Sequence, residues 1–356
     1  MKKRLGLIYG GKSAEHEVSL STARAVTQAV DFDRFEVIPV YITYDGEWRK
    51  GQSLERPIEN IEDLRLKGDG THKPDSIHDF LNGSSGALDV VFPLLHGTNG
   101  EDGTVQGLLE VMNLPYVGNG VLASSAGMDK VVMKQLFAQA GLSQVAYVHF
   151  IRSEWNANSA QLIEQMEKEL EYPMFVKPAN LGSSVGISKA VDEKSLTKAI
   201  ELALKFDRRI IVEQGITARE IEMGVMGNDH PKCSVAGEIK PVTEFYDYEA
   251  KYSDGNTVLV IPAKVPEEVR KKMVEMSIKA YKVLDCSGLV RSDFFVGAND
   301  EVLINEVNTM PGFTPTSMFP LLWQKTGVTY PELIDELIEL ALERHAEKQQ
   351  IQYTMD

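Results

Sequence analysis

The sequence LVRSDFFVGANDEVLINEVN, residues 289–308, contains two runs of β-branched and aromatic residues with a turn between them. The runs cover 289–296 and 302–307, and the GANDE segment that separates them has the small and polar residues typical of turns. This composition predicts a β-hairpin. We centre the hairpin on Asn299 and Asp300 to obtain its register.

The predicted register places four polar side chains on one face of an otherwise apolar hairpin. Side chains alternate between the two faces of a strand, and directly opposed residues share a face. The opposed pairs are Phe295–Ile304, Asp293–Glu306 and Arg291–Asn308. Arg291, Asp293, Glu306 and Asn308 are therefore expected to crowd together.

This polar face has two possible roles. Two opposed carboxylates repel unless a cation lies between them, and an Asp, Glu and Asn oxygen set suits a hard cation such as Mg²⁺ that is shared with phosphates. The alternative is a structural Arg–Asp–Glu network on a solvated strand. The Gly/Pro-rich segment 309–317, TMPGFTPTS, leaves the carboxylate strand directly and favours a ligand site, because such backbone can approach a ligand closely.

The composition of the whole chain excludes several classes of function. A length of 356 residues allows two or three domains, and a formal net charge of −15 argues against nucleic acid or an anionic membrane as partner. Two cysteines, Cys233 and Cys286, do not indicate a disulfide framework. The apolar run near the N-terminus is too short for a signal peptide, and no stretch reaches membrane-spanning length. We expect a soluble cytoplasmic protein.

The order of predicted elements indicates an α/β fold. Strands at Leu5–Tyr9, 35–42 and 89–95 alternate with helices at about 14–30 and 103–112, which is typical of a doubly wound sheet. A domain boundary is expected near residues 123–129, and a new sheet opens at 173–178. We divide the chain into 1–124, 125–216 and 217–356.

Two loops of the first domain carry candidate site residues. Glu15 follows the first strand, at the edge where open α/β sheets bind ligands, and its carboxylate could hold a substrate ammonium. An acid that complements the dipole of the next helix is the alternative. The loop HGTNGEDG, residues 96–103, also follows a strand and suggests functional backbone, although it could simply cap the next helix.

Two further segments suggest contacts to phosphate. Lys177 ends an apolar strand and precedes ANLGSSVG, residues 179–186, a small-residue loop that could cover phosphates with N–H groups and hydroxyls. A surface loop is the alternative. The aromatic and charged segment 245–255 is typical of a lid.

Taken together, these motifs resemble those of ATP-grasp ligases, and most closely the D-alanine–D-alanine ligase family. The similar segments run nearly end to end. They are GGKSAEHEVS (10–19), HGTNGEDG (96–103), MDK (128–130), FVKPANLGSSVG (175–186), YDYEAKY (246–252), the 289–308 hairpin and MPGFTPTSM (310–318). The resemblance implies an ATP-grasp fold with an N-terminal doubly wound (pre-ATP-grasp) α/β domain.

The resemblance also implies the residues that bind ATP and metal. Two Mg²⁺ (or Mn²⁺) would be held by Asp293, Glu306 and Asn308. The residues implied to contact ATP are Lys130, Lys177, Ser183, Ser184, Glu213, Gln214, Gly215, Ile216, Glu220 and Lys251. Within this set the lysines and serines would contact phosphates, residues 213–216 would hold adenine, and Glu220 would bind the ribose.

The remaining implied roles concern the amino-acid substrates. Glu15 would fix the ammonium of the first D-alanine, and His96 would lie near both amino acids. Arg291 and the Gly312 N–H would form an oxyanion site. The second D-alanine would be held by Ser317 and Met318, and Tyr252 would tie the lid to Glu15 through Ser183.

The reaction implied by the resemblance is ATP-dependent joining of two D-alanines through an acyl phosphate, for peptidoglycan precursor synthesis in a cytoplasmic homodimer. A D-alanine–D-lactate ligase is one rival, but the resemblance says that those enzymes lack the lid tyrosine. A non-catalytic binding module would be expected to lose metal ligands or the arginine. A biotin-type carboxylase does not account for Glu15, HGTNGEDG and YDYEAKY.

Overall fold

The first sheet of the computed structural model confirms the predicted doubly wound arrangement. The model describes residues 2–67, 88–182, 185–241 and 257–355. In this sheet β1 runs parallel to β2 and β4, β3 is antiparallel at the edge, and the strand order is β3-β2-β1-β4. The strands are β1 (Lys3–Gly10), β2 (Phe35–Ile42), β3 (Trp48–Lys50) and β4 (Val90–Pro93).

Helices cover both faces of this sheet, which explains why its central strand β1 is apolar and buried from Leu5 to Tyr9. Leu5 and Leu7 pack with α1 (His16–Ala29) on one face. Ile8 packs on the other face with α2 (Thr104–Val111). A parallel strand that is buried on both faces has no polar side to present.

The second sheet is antiparallel, with the order β5-β8-β6-β7. Its strands are β5 (Tyr147–Ile151), β6 (Met174–Pro178), β7 (Ser188–Ala190) and β8 (Arg209–Gln214). Two helices pack on it through a separate apolar core. Two helices, α3 (Val121–Met128) and α4 (Lys130–Gln139), precede this sheet in the chain. The two helices that pack on it are α5 (Arg152–Glu169) and α6 (Glu193–Ala203).

The third sheet has the order β11-β10-β9-β12-β13, and its last two strands form the hairpin predicted at residues 289–308. Its strands are β9 (Arg219–Gly227), β10 (Lys232–Pro241), β11 (Thr257–Val260), β12 (Gly288–Val296) and β13 (Val302–Asn308). One face packs on α7 (Glu267–Val283), and the other packs on α8 (Met318–Thr326). A Cβ on Gly224 would lie 2.8 Å from Trp323, and a Cβ on Gly237 would lie 2.7 Å from Met318. Both glycines are therefore needed for the close approach of α8.

The hairpin register agrees with the prediction at the polar pairs but not near the turn. Asp293 is opposite Glu306 and Arg291 is opposite Asn308, as predicted. The predicted pair Phe295–Ile304 is wrong, because Phe295 is opposite Leu303. An irregularity between Asp293 and Phe294 changes the register by one residue. Asn305 is the extra residue on β13, and a bulge of this kind re-aims the strand at the point where the polar side chains begin.

The C-terminal helix α9 (Tyr330–Lys348) returns to the first sheet. Leu333, Ile334 and Leu337 belong to the same buried cluster as Leu5 and Leu7. Among the described helices, none combines the length and the apolar composition needed to span a bilayer.

The buried amide of Asn119 ties the segment that follows the first sheet to the third sheet. Asn119 is 3% exposed, and its Nδ2 donates to the carbonyls of Leu289 and Thr309 at 2.7 Å each. Its Oδ1 accepts from the Ser287 N–H at 2.9 Å. Three backbone groups of the segment that carries the hairpin therefore depend on one side chain.

We expect Asn119→Ala to lower the free energy of unfolding by at least about 2 kcal/mol, because it leaves buried backbone groups without partners. Chemical denaturation followed by circular dichroism measures the change. The control Asn156→Ala removes an exposed amide from α5 and should stay within about 0.5 kcal/mol of wild type. Equal effects of the two substitutions would contradict the role of Asn119.

Candidate active site

The polar face of the hairpin holds a buried arginine between two carboxylates. Arg291 Nε lies 2.7 Å from Asp293 Oδ1, and its Nη2 donates to Asp293 Oδ2, also at 2.7 Å. On the neighbouring strand β9, Glu222 Oε2 lies 2.9 Å from Arg291 Nε. Asn308 Nδ2 donates to Asp293 Oδ2 at 2.8 Å. The predicted set is thus brought together, with Glu222 added to it.

Glu222 was missed by the sequence reading, although a signal for it was present. Residues 220–225 alternate acidic and apolar residues, which marks a strand with one polar face. The pairing of β9 with β12 places Glu222 directly opposite Asp293. Only this long-range pairing shows that the two acidic strands share one face.

Electrostatics keep Arg291 charged despite its burial. Burial opposes the charge, but Asp293 and Glu222 outweigh burial and raise the pKa of the guanidinium. An arginine held from two sides by carboxylates cannot rotate away without leaving buried charges unpaired. The arrangement presents a fixed cation next to Glu306, whose carboxylate lies 3.8 Å from Lys130 Nζ.

A second charged cluster lies where α4 meets β6 and β8. Both carboxylate oxygens of Glu213 are paired: Oε1 lies 2.9 Å from Lys134 Nζ, and Oε2 lies 2.5 Å from Lys177 Nζ. Lys130, at the start of α4, donates to the Leu181 carbonyl at 2.9 Å and so joins the helix to the loop after β6. Lys134 was not predicted from the sequence.

Charge compensation also governs this cluster. Burial opposes ionisation of Glu213, but Lys134 and Lys177 lower its pKa to about 2. Burial likewise opposes the charge on Lys177, and Glu213 and Glu306 outweigh it to raise the pKa of that ammonium. For Lys134 burial is the larger effect and lowers the pKa, with Glu213 opposing the shift. Below about pH 4.5 the stabilising contribution of Glu213 is lost as the pH falls towards 2, since its folded pKa is the lower one.

The Glu15 carboxylate points to the junction of the first domain and the loop after β6. Glu15 occupies the N-cap position of α1 but makes no capping hydrogen bond through its side chain. A Cβ on Gly97 would lie 2.9 Å from Glu15 Oε2, and a Cβ on Gly182 would lie 3.5 Å from the same atom. Two glycine-containing loops therefore approach one carboxylate, and larger residues at Gly97 would meet it.

The HGTNGEDG loop contributes one acidic side chain to the start of α2 and another to the candidate site. Asp102 Oδ1 accepts from the Thr104 N–H at 3.0 Å, which supports the first turn of α2. Glu101 turns the other way, and its Oε2 accepts from the Gly97 N–H at 2.7 Å. Burial and the nearby Glu15 raise the pKa of Glu101 to about 8. Burial lowers the pKa of His96, although Glu15 opposes that shift.

The segment after β13 is folded by its own hydroxyl groups. Ser317 Oγ accepts from the Thr314 N–H at 3.1 Å and lies 2.8 Å from Thr314 Oγ1. A Cβ on Gly312 would lie 3.2 Å from Ser317 Oγ, so the loop is tight there. Met318 is buried and begins α8.

Some of the other predicted residues are described by the structure, and four are not. Glu213 and Gln214 end β8, and Ile216 beyond them is 41% exposed. A Cβ at position 215 would lie 2.3 Å from the Pro173 carbonyl, so this position requires glycine. Glu220 lies on β9 opposite Phe295. Four predicted residues lie outside the described residues: Ser183, Ser184, Lys251 and Tyr252.

The oxygen donors on the hairpin suit a hard cation but supply only part of its ligands. Asp293 and Glu306 are directly opposed, and the Asn308 amide lies beside them. Across the described ranges, no three His, Cys, Asp or Glu side chains form a ready metal cage. A divalent ion at this pair would need further oxygens from Asn308 or from a bound phosphate.

Comparison with known proteins gives full-length matches. The family model described as the D-ala D-ala ligase N-terminus matches residues 4–119, and the one described as the D-ala D-ala ligase C-terminus matches residues 136–339. The chain is 59% identical to the D-alanine--D-alanine ligase of Bacillus licheniformis, over 99% of this chain and 100% of that protein. It is 54% identical to that of Listeria monocytogenes serotype 4b, over 100% of both.

Solved structures match over a similar extent. The D-alanine-D-alanine ligase from Coxiella burnetii superposes with a TM-score of 0.81 at 34% identity, over 98% of this chain and 96% of that one. The VanG D-Ala:D-Ser ligase from Enterococcus faecalis superposes with a TM-score of 0.80 at 33% identity, over 96% of this chain and 100% of that one.

We expect Glu101→Gln to stabilise the protein increasingly as the pH rises. The pKa of Glu101 is about 8 in the folded protein against 4.5 for an ordinary glutamate, so its cost to folding is absent below about pH 4.5 and complete above about pH 8. The amide retains an acceptor for the Gly97 N–H. The Tm difference between variant and wild type should therefore grow by several degrees between about pH 5 and about pH 9.

The control Glu164→Gln changes an exposed carboxylate on α5 and should give a Tm difference that does not vary with pH. A pH-independent difference for Glu101→Gln would show that Glu101 is ionised in the folded protein at neutral pH.

Proposed function

The chain belongs to the D-alanine–D-alanine ligase family and has the ATP-grasp fold, and from this membership we propose that it joins two D-alanines at the expense of ATP. The product, D-alanyl-D-alanine, serves peptidoglycan precursor synthesis. The single observation that carries the proposal is the fixed Arg291 flanked by Asp293, Glu222 and the Glu306–Lys130 pair. A site of this kind neutralises developing anionic charge without a nucleophilic side chain.

In the proposed reaction the first D-alanine carboxylate attacks the γ-phosphorus of ATP. A carboxylate oxygen bonds to phosphorus while the bond to the β–γ bridging oxygen breaks, which gives D-alanyl phosphate and ADP. The ammonium of the second D-alanine releases a proton to solvent, and the resulting amine attacks the acyl carbon. The tetrahedral intermediate then breaks its bond to the phosphate oxygen and forms the peptide bond, and the remaining amine proton leaves with the phosphate as hydrogen phosphate. Positioning and charge neutralisation are the main demands on the protein.

We assign the nucleotide to the clusters around α4 and β8. Lys130 and Lys177 would contact phosphates, residues 213–216 would hold adenine and Glu220 the ribose. Lys177 is available for this because its ammonium lies at the end of β6 and is 11% exposed. Lys251, Ser183 and Ser184 complete the proposed set.

The amino-acid substrates are assigned to the junction between the three sheets. Glu15 would bind the first ammonium, because its carboxylate lies where the loops of Gly97 and Gly182 approach each other. His96 would lie beside both amino acids, and Arg291 with the Gly312 N–H would bind the oxyanion. Ser317 and Met318 would hold the second D-alanine. Tyr252 would close the lid on Glu15 through Ser183.

The proposal extends to metal ions, assembly and location. Two Mg²⁺ (or Mn²⁺) would be held by Asp293, Glu306 and Asn308, where they would neutralise phosphate charge. The oxygen donors on the hairpin support this assignment. We also propose a cytoplasmic homodimer with domains at 1–124, 125–216 and 217–356, in keeping with ATP as substrate.

The function is tested by phosphate release from ATP and Mg²⁺ with product masses read alongside. We expect release that requires D-alanine and yields D-alanyl-D-alanine, with no release from L-alanine. Mixtures of D-alanine with D-serine or D-lactate test the second substrate, because one similar structure is named a D-Ala:D-Ser ligase. A mixed product formed in preference to the dipeptide would overturn the substrate assignment. Nucleotide binding without release under any condition would favour a binding module.

We expect Arg291→Lys and Glu306→Gln each to lower kcat at least about 100-fold, the usual cost of losing a group that stabilises transition-state charge. Lysine keeps the charge of Arg291 but cannot reproduce its paired bonds to Asp293. The matched control Glu301→Gln changes an exposed carboxylate in the hairpin turn and should keep wild-type turnover. Full activity in a folded Glu306→Gln variant would refute the site.

A further inference from the structure

Lys134 is a buried lysine to which the proposed function gives no role. Its side chain is 1% exposed, and it projects from the middle of α4. Nζ lies 2.9 Å from Glu213 Oε1, donates to the Asn305 carbonyl at 3.4 Å, and sits 5.8 Å from the centre of the Tyr147 ring. A buried ammonium destabilises the folded protein unless it is paired, so its presence needs a physical reason.

The position of Lys134 joins two sheets. Glu213 belongs to β8 of the second sheet, and Asn305 is the bulged residue of β13 in the third. The bulge leaves the Asn305 carbonyl out of the regular ladder, where Lys134 can reach it. The ammonium therefore contacts both of the sheets between which we place the nucleotide.

Two ammonium groups share the single carboxylate of Glu213. Lys134 and Lys177 occupy its two oxygens. The low pKa of Glu213, about 2, is itself due to the two lysines. Lys177 is the member of the pair that is closer to solvent, 11% exposed against 1% for Lys134, so it is the ammonium that an anion can reach.

We propose that Lys134 is a positioning residue that acts as the permanent counterion of Glu213 and thereby frees Lys177 to bind a phosphate of the nucleotide. This inference rests on the proposed function, since it takes the phosphate to be that of ATP. With Lys134 present, Lys177 can leave Glu213 Oε2 for a phosphate while Glu213 stays paired. Without Lys134, Lys177 is the one lysine among the described residues left in an ion pair with Glu213, and the buried carboxylate competes with the phosphate for it.

The test is the Kd for a non-hydrolysable ATP analogue with Mg²⁺, measured by calorimetry in the absence of D-alanine. We expect Lys134→Met to raise this Kd about 10-fold, within the roughly 5- to 150-fold range typical of coupling between sites. The KM for ATP should rise with it, while kcat and the KM for D-alanine change little. The control Lys168→Met removes an exposed lysine of α5 and should leave all four values unchanged.

A double variant separates this role from a merely structural one. Glu213→Gln removes the competing carboxylate, so Lys134→Met should have no more than a twofold effect when it is added to Glu213→Gln. A structural role predicts that the two substitutions weaken binding together. The double variant removes the 1% exposed Lys134 ammonium together with the buried Glu213 carboxylate, and the ammonium that loses its partner is Lys177, which is 11% exposed. It is therefore expected to fold even if Lys134→Met alone, which leaves Glu213 with one lysine, does not. The comparison of Glu213→Gln with the double variant then decides the question.

Two results would overturn the inference: an unchanged Kd in a folded Lys134→Met protein, or a further large loss of affinity in the double variant. Failure of the proposed function has a different signature. In that case wild-type protein binds the analogue but makes no D-alanyl-D-alanine. The Kd of the Lys134→Met variant for the analogue then still tests the role of Lys134.

Discussion

A buried arginine shared by two carboxylates sets the charge balance on which the rest of the site depends. Arg291 makes two hydrogen bonds to Asp293 and an ion pair with Glu222, and these acids in turn keep it charged and immobile. The three side chains come from adjacent strands, so the sheet itself fixes their spacing. Preorganisation of this kind matters because charge that is already in position requires no rearrangement when a reaction begins.

The Glu213 cluster has the same arrangement of charges as the Arg291 cluster, with positive and negative charges exchanged. At Glu213 one carboxylate is held by two lysines, whereas at Arg291 one cation is held by two acids. A chain with a net charge of −15 can therefore present local positive charge to an anionic nucleotide. The fold places both clusters against β13 and its bulge, with Lys134 on one side and the opposed acids beyond it.

The sequence allowed prediction wherever the relevant contacts were local or periodic. Period-two alternation and turn composition were sufficient for the pairing of Asp293 with Glu306, and apolar runs were sufficient for the doubly wound sheet. The pair Phe295–Ile304 failed because a bulge has no compositional signature in this hairpin. Glu222, Lys134 and Asn119 were missed because each acquires its partners from segments far away in the chain, and their residue types are unremarkable in isolation.

The return of α9 to the first sheet has a consequence for biosynthesis. Leu333, Ile334 and Leu337 complete the cluster that begins with Leu5 and Leu7, whereas the last strand of the first sheet, β4, already ends at Pro93. About 240 residues must be translated between these points, which at about 5–20 residues per second leaves the nascent sheet incompletely covered for roughly 12–50 seconds. During that interval its apolar surface is open to chaperones or to misassociation, and the order of synthesis differs from the order in which the core is closed.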